Sequence, residues 1–196
     1  MNNQPHFSIN STAPLSILFL KQHINTFKDA ATFIKQLPYG RNANKNDLTS
    51  IFTDNCGTCS TKHAVLKELA AENNFEGLDL MLGLFKMSAK NTPKISAILQ
   101  KNKLTYFPEA HTYLKFNNCI FDYTTIASKP ADFVNDLMEE IIIQPYQISD
   151  FKVDYHKKRL TDWLEKNPSI NYTLNDVWAI REQCIQKLSE TITKND

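Results

Sequence analysis

Apolar side chains recur at helical spacing through residues 15–37, and Pro38 ends this segment. The pattern weakens near His23, so we expect the helical segment to be interrupted there. Residues 1–14 are polar with a proline toward each end, which indicates an irregular arm. Residues 39–47 are polar and lack periodicity, and they predict a long surface loop of the kind that often carries functional residues.

The middle of the chain alternates between helical and strand patterns. Pro93 stands where proline is tolerated as the first residue of a helix. Two asparagines, Asn117 and Asn118, separate two short strand patterns and predict a tight hairpin turn. The predicted elements are, in order, a helix at 59–73, a strand at 78–87, a helix at 92–102, a loop at 105–110, and a β-hairpin with strands 111–116 and 119–122.

The last third of the chain is mostly helical in pattern. It predicts a short helix at 130–138, a strand at 139–144, and helices at 155–166 and 174–191. This order of elements favours an α+β fold in which an antiparallel sheet packs against the helix that starts at Cys59. We expect residues 1–145 to form this core with its N-terminal helix. Residues 146–196 would be a helical extension on the same domain that covers the sheet or mediates a homodimer.

Charge and composition exclude several classes of protein. The 196-residue chain has 22 Lys and Arg against 21 Asp and Glu, so it has no basic footprint for nucleic acid. Four cysteines, three of them far apart, do not suggest a disulfide framework in a chain of this length. The first twenty residues lack a basic region and carry only a short apolar run, unlike a signal peptide or a membrane span. We therefore expect a cytoplasmic protein with reduced thiols and no membrane partner.

Candidate chemistry centres on the stretch around Cys59, where a polar turn runs directly into an apolar helical pattern. A thiol at a helix start lies near unpaired N–H groups and the positive end of the helix dipole, and both stabilise the thiolate. The chain has only four glycines, and one of them, Gly57, lies two residues before this cysteine. This pattern predicts that Cys59 is a nucleophile.

The predicted hairpin supplies partners for that nucleophile. His111 and Asp122 lie five or six residues from its turn on facing strands, where Cβ atoms of neighbours are about 5 Å apart. The carboxylate is therefore expected to hold one ring nitrogen of the imidazole, which leaves the other for the sulfur of Cys59. Nucleophile, base and orienting carboxylate form the set that covalent catalysis requires.

These pieces resemble the transglutaminase-like superfamily of papain-fold cysteine enzymes. The likeness covers residues 36–125: Gly57-Thr58-Cys59 opening a helix, His111 beginning a strand, and Asp122 ending the next strand. It implies a papain-like α+β fold and acyl-thioester chemistry on a peptide or small amide substrate, with no cofactor. It leaves open whether the acyl acceptor is water, as in a protease, amidase or deamidase, or an amine, as in an acyltransferase.

The chain also departs from the family pattern. Tyr113 stands where the family commonly has tryptophan, and the hairpin is shorter than in most members. The upstream oxyanion donor of the family has no clear counterpart, and Tyr39 and Asn55 are the candidates. The residues expected to contribute oxyanion donors or to line the substrate site are therefore Tyr39, Asn55, Thr58, Glu109 and Tyr113.

Other readings of the same residues remain open. Cys59 also fits a plain buried thiol, and Cys56 and Cys59 have the spacing of a redox dithiol. Cys56, Cys59, His63 and His111 would make a Cys2His2 zinc set. A catalytically inactive binding module of the same fold is a further alternative.

Overall fold

Four antiparallel strands form the central sheet of the protein. The computed structural model describes residues 4–190, and the predictions for residues 1–3 and 191–196 lie outside the described residues. The strands are β1 (Leu78–Ser88), β2 (Tyr106–Phe116), β3 (Cys119–Phe121) and β4 (Leu137–Ile143). Their order in the sheet is β3-β2-β1-β4, and every neighbouring pair is antiparallel. The protein is thus α+β, as the sequence predicts.

Seven α-helices among the described residues pack around this sheet. They are α1 (Pro14–Lys21), α2 (Phe27–Gln36), α3 (Ser50–Asp54), α4 (Cys59–Glu72), α5 (Ser96–Lys101), α6 (Asp150–Lys166) and α7 (Leu174–Ser189). The predicted interruption near His23 is confirmed: His23 has φ 60°, and Thr26 starts α2 by accepting a hydrogen bond from the Asp29 N–H. Among residues 4–190, no helix combines the length and apolar character needed to cross a lipid bilayer.

Side-chain alternation along the strands divides the core between the two faces of the sheet. One face, with Leu80 and Leu114, packs against α1, α2 and α4. The other face, with Phe107 and Tyr113, packs against residues of α5, α6 and α7, including Trp163. The C-terminal helices are therefore part of the core.

Strand β2 begins earlier than predicted. The segment 105–110 was predicted to be a loop, but β2 starts at Tyr106, so His111 lies in mid-strand. Residues 106–113 pair with β1 on one side, while β3 pairs only with residues 114–116. Pro108 therefore lies on an open edge, where the missing N–H costs no ladder hydrogen bond, and its carbonyl accepts from His156 (2.8 Å).

Two other boundaries also differ from the prediction. The helix predicted at 130–138 consists of two single 3₁₀ turns, Pro130–Asp132 and Val134–Asp136, and β4 already begins at Leu137. Helix α6 begins at Asp150, five residues before its predicted start. Neither 3₁₀ turn contains a buried residue, and a single turn leaves no apolar periodicity in the sequence.

Candidate active site

Cys59 is the first residue of α4 and is 7% exposed. The turn before it is tight, because a Cβ on Gly57 would lie 3.0 Å from the Lys62 side chain and 3.1 Å from Ile51. Thr58 caps the helix by accepting from the Thr61 N–H (3.5 Å). The backbone N–H of Thr112, on the open edge of β2, is near the Cys59 sulfur and favours its thiolate. The start of α4 is thus seated where β3 leaves β2 uncovered.

The His111 ring is held by Asp122, as the hairpin predicts. His111 Nε2 lies 3.1 Å from Asp122 Oδ2, and Asp122 directly follows β3. The other carboxylate oxygen accepts from the backbone N–H (2.9 Å) and the hydroxyl (2.5 Å) of Thr124, which fixes its orientation. The other ring nitrogen, Nδ1, is left for the Cys59 sulfur, and the two side chains are close enough for each to shift the pKa of the other. The structure brings the three predicted residues together.

The charges of this group are mutually stabilising. Burial raises the pKa of Cys59, but the ammonium of Lys152, the charge of His111 and hydrogen bonds from His111 and Thr112 lower it to about 6. Burial lowers the pKa of His111, but Asp122 and the Cys59 thiolate raise it to about 10. Burial likewise raises the pKa of Asp122, yet the His111 charge and hydrogen bond hold it well below its usual range. At neutral pH the site is a thiolate–imidazolium–carboxylate row.

A buried lysine that the sequence analysis missed also contacts the thiol. Lys152, near the start of α6, is 8% exposed. Its Nζ lies 2.7 Å from Ser60 Oγ, 3.2 Å from Thr112 Oγ1 and 3.8 Å from Cys59 Sγ. Of the interactions that lower the pKa of Cys59, its charge is the largest. Nothing in the neighbouring sequence distinguishes Lys152 from the other lysines of the chain.

His63 is a structural residue beneath the site. Its Nδ1 lies 2.7 Å from the Cys59 carbonyl oxygen, and its Nε2 accepts from the Tyr123 N–H (2.8 Å). The proton is therefore on Nδ1, and burial lowers the pKa of the ring to about 4, so it is neutral. Both nitrogens are occupied by the backbone. His63 joins the start of α4 to the segment that carries Asp122.

The zinc alternative is wrong for this arrangement. Cys56, Cys59, His63 and His111 do not converge, and residues 4–190 contain no group of three or more His, Cys, Asp or Glu side chains placed to hold a metal ion. Cys56 Sγ instead lies 3.8 Å from the Arg41 carbonyl. Burial and the Asp54 charge raise the pKa of Cys56, opposite to the shift at Cys59.

The weaker site predictions divide into two groups. Tyr39, Thr58 and Glu109 line cavities next to Cys59. Asn55 does not: it is an exposed residue with φ 50° that ends α3, because its small polar side chain tolerates the left-handed conformation.

Tyr113 does not line the substrate site either, because it is fully buried next to His111. The two rings are 6.1 Å apart between centroids, and the Tyr113 hydroxyl donates to Glu140. Phe133 packs against both rings at 4.9 Å. Tyr113 therefore supports the imidazole from within the core.

Three hydrogen-bond donors near Cys59, two backbone N–H groups and one hydroxyl, have no acceptor among the described residues. The backbone N–H groups of Cys59 and Ser60 have no acceptor among the described residues, as expected for the first turn of a helix. The Tyr39 hydroxyl likewise has no hydrogen-bond partner in the described part of the chain. Burial and the charges of Cys59 and Glu109 raise the pKa of Tyr39, so its hydroxyl keeps its proton.

Cys59 lies where two cavities meet, with Tyr39, Glu109 and Ile185 also lining both. The first, which we call the polar cavity, has a volume of about 270 Å³. Its charged lining residues are Arg41, Lys45, Glu109, Lys152, Arg181 and Glu182.

The second cavity, which we call the apolar cavity, has a volume of about 300 Å³. Its lining includes Phe85, Met87, His111, Ala127, Phe133 and Leu188. His111 lines only this cavity, and Lys152 lines only the polar one. The His111 imidazole and the Lys152 side chain thus belong to different cavities next to the sulfur.

Comparison of the chain with protein-family models, with curated proteins and with solved structures found no significant match in any of the three.

Proposed function

We propose that this protein is a cysteine enzyme of transglutaminase-like, papain-like arrangement that acts on a peptide or small amide through an acyl-thioester. One observation carries the proposal: a buried thiol at a helix start, Cys59, interacts with an imidazole, His111, which a fixed carboxylate, Asp122, holds by its far nitrogen. A merely structural thiol has no need of an imidazolium partner and a depressed pKa.

In the first half-reaction the Cys59 thiolate attacks the amide carbonyl carbon and forms a carbon–sulfur bond. The carbonyl oxygen becomes an oxyanion, for which the Cys59 N–H and the Tyr39 hydroxyl are available donors. The carbon–nitrogen bond then breaks as His111 gives its proton to the departing nitrogen. The products are an amine, a thioester on Cys59 and a neutral imidazole.

In the second half-reaction, neutral His111 removes a proton from water or from an acceptor amine, which attacks the thioester. The carbon–sulfur bond breaks, and the acid or new amide leaves. The thiolate and the imidazolium are restored, with Asp122 stabilising the imidazolium throughout.

The thiol chemistry is tested by the pH dependence of Cys59 alkylation with iodoacetamide, located by mass spectrometry. Only the thiolate reacts, so the rate rises with pH through the thiol pKa, and the midpoint in the wild type is expected near pH 6. His111→Ala removes one of the charges that lower the pKa, so the midpoint moves upward. At pH 7 the variant is expected to react about tenfold more slowly.

A second measurement separates an enzyme from an inactive binding module. The activated ester p-nitrophenyl acetate is expected to acetylate Cys59, and the acetyl group is then expected to leave in the wild type. Cys59→Ser is the matched control for background acylation at other residues. If the alkylation of wild-type Cys59 had its midpoint at the pKa of an ordinary thiol, Cys59 would not be an activated nucleophile. If the acetyl group stayed on Cys59 and was never released, the protein would be a catalytically inactive binding module.

A further inference from the structure

The positions of the base and the helix start define which side of the sulfur each half of the substrate occupies. His111 has to reach the leaving nitrogen, and it lines only the apolar cavity. The free N–H groups of Cys59 and Ser60 are suited to bind the oxyanion; Cys59 lines both cavities, and of the two cavities Ser60 lines only the polar one. The leaving amine therefore occupies the apolar cavity, and the acyl half extends into the polar cavity.

The polar cavity has more positive than negative charge on its walls. Both of its carboxylates are already paired with guanidinium groups: Glu109 accepts two hydrogen bonds from Arg181, at 2.7 and 3.0 Å, and Glu182 pairs with Arg181 and with Arg41, each at 2.6 Å. His156 also lines the cavity, but burial lowers its pKa, so it adds no charge.

Two lysines are left without a carboxylate. Lys45 has no ion pair or hydrogen bond among residues 4–190, and Lys152 contacts two hydroxyls and the sulfur of Cys59. When the thiolate becomes a neutral thioester, Lys152 loses the anionic sulfur that lies 3.8 Å from its Nζ, while it remains buried. An anionic group on the acyl half would restore the balance, because an uncompensated buried charge is costly.

We propose that the substrate is an amide whose acyl half carries a carboxylate, bound in the polar cavity near Lys45 and Lys152, and whose amine half is apolar and binds in the apolar cavity. This inference rests on the proposed thiol chemistry and specifies its substrate class. The size of both cavities suits side-chain-sized groups on either side of the scissile bond.

The experiment compares two amides of the same apolar amine, 7-amino-4-methylcoumarin: the glutaryl amide, which carries a free carboxylate, and its neutral methyl ester. The glutaryl amide is expected to have a kcat/KM about tenfold higher in the wild type, the effect of one charge pair in a partly desolvated site. Lys45→Glu is expected to abolish this preference. Lys94→Glu, the same charge reversal at the apolar cavity, is the matched control and is expected to keep it.

A reagent pair keeps this inference separable from the proposed function. Iodoacetate is anionic and iodoacetamide neutral, so the ratio of their rates at Cys59 reports the charge around the sulfur without any turnover. The ratio is expected to exceed that of free glutathione and to fall in Lys45→Glu. Cys59 could react rapidly with iodoacetamide while the protein preferred neither the glutaryl amide nor iodoacetate. That result would contradict the proposed substrate class but not the proposed thiol chemistry. If Lys94→Glu abolished the preference for the anion and Lys45→Glu did not, the acyl half would bind in the apolar cavity, contrary to the proposal.

Discussion

Lys152 is a buried lysine next to a thiol, and residues 4–190 place no carboxylate within ion-pair distance of it. Its ammonium favours the thiolate of Cys59 and lines the polar cavity, whereas His111 lines the apolar one. The sulfur is therefore held between two positive groups, and the imidazole is only one of them.

Lys152→Met keeps most of the buried volume and removes the charge. The pKa of Cys59 is expected to rise above its value of about 6, by roughly 1 to 2 units, because the largest favourable charge is gone. The measurement is the midpoint of Cys59 alkylation against pH. Lys158→Met, an exposed position on the same helix, is the matched control. An unchanged midpoint in a folded Lys152→Met protein would contradict this role.

His63 makes the fold sensitive to acid. Its pKa is about 4 in the folded protein and about 6.5 in an unfolded chain, so between these values the unfolded state binds more protons and stability falls as the pH falls. The loss of free energy of unfolding from this residue is about 2 kcal/mol between pH 7 and pH 5.

His63→Gln tests this linkage. A glutamine amide can donate to the Cys59 carbonyl and accept from the Tyr123 N–H, but it does not titrate. Urea denaturation at pH 7 and pH 5 is expected to show a smaller loss of stability in the variant than in the wild type. Equal losses in the two proteins would mean that other groups cause the acid sensitivity.

Strand β1 shapes the site through a missing side chain. Gly83 pairs with His111 in the ladder, and a Cβ there would lie 2.8 Å from the Tyr113 ring and 2.8 Å from Leu137. No real Cβ contact is that short, so the ring beside His111 occupies space that only glycine leaves free. The support of the imidazole thus depends on the neighbouring strand.

Gly83→Ala is expected to lower the free energy of unfolding by about 1 to 3 kcal/mol through overpacking against Tyr113. Urea denaturation of a double-mutant cycle with Tyr113→Leu measures the coupling. The double variant is expected to lose less stability than the sum of the two single variants, because the smaller side chain relieves the contact. Additive losses would show that the crowding is not with this ring.

At the scale of the whole molecule, an ion pair between Glu109 of β2 and Arg181 of α7 connects the sheet to the C-terminal helices across the site. Their side chains are 8% and 13% exposed, and the arginine offers two hydrogen bonds to the carboxylate. Burial raises the pKa of Glu109, but Arg181 holds it below its usual range. The C-terminal helices therefore contribute both to the core and to the wall of the polar cavity.

Arg181→Gln leaves the Glu109 carboxylate buried without its partner, and the free energy of unfolding is expected to fall by about 3 to 5 kcal/mol. The double variant with Glu109→Gln is expected to be more stable than Arg181→Gln alone, because the uncompensated charge is removed. Unfolding in urea is followed by far-UV circular dichroism and by tryptophan fluorescence, which reports Trp163 and Trp178 in the C-terminal helices. Coincident transitions are expected; earlier melting of the fluorescence signal would show that these helices are a separate unit.

Local signals in the sequence were enough to predict the parts of the site that are close along the chain. Asn117 and Asn118 both have positive φ, as the predicted two-residue turn requires, and this turn fixes the pairing that brings His111 to Asp122. The helix start at Cys59 was predicted for a similar reason, since a polar turn before an apolar repeat is a property of neighbouring residues.

Only the tertiary structure decided what surrounds the sulfur. Lys152 is 93 residues from Cys59 in the chain, and Arg181 is 72 residues from Glu109, so no local pattern relates them. The open edge of β2 likewise follows from the short β3, which pairs only with residues 114–116. This edge accommodates Pro108 within the strand and the start of α4 beside it. Neighbouring residues therefore determined that Cys59 begins a helix and that His111 meets Asp122. Packing between distant elements determined the charge around the thiol and the two cavities beside it, because burial and electrostatic potential depend on everything that the fold brings near.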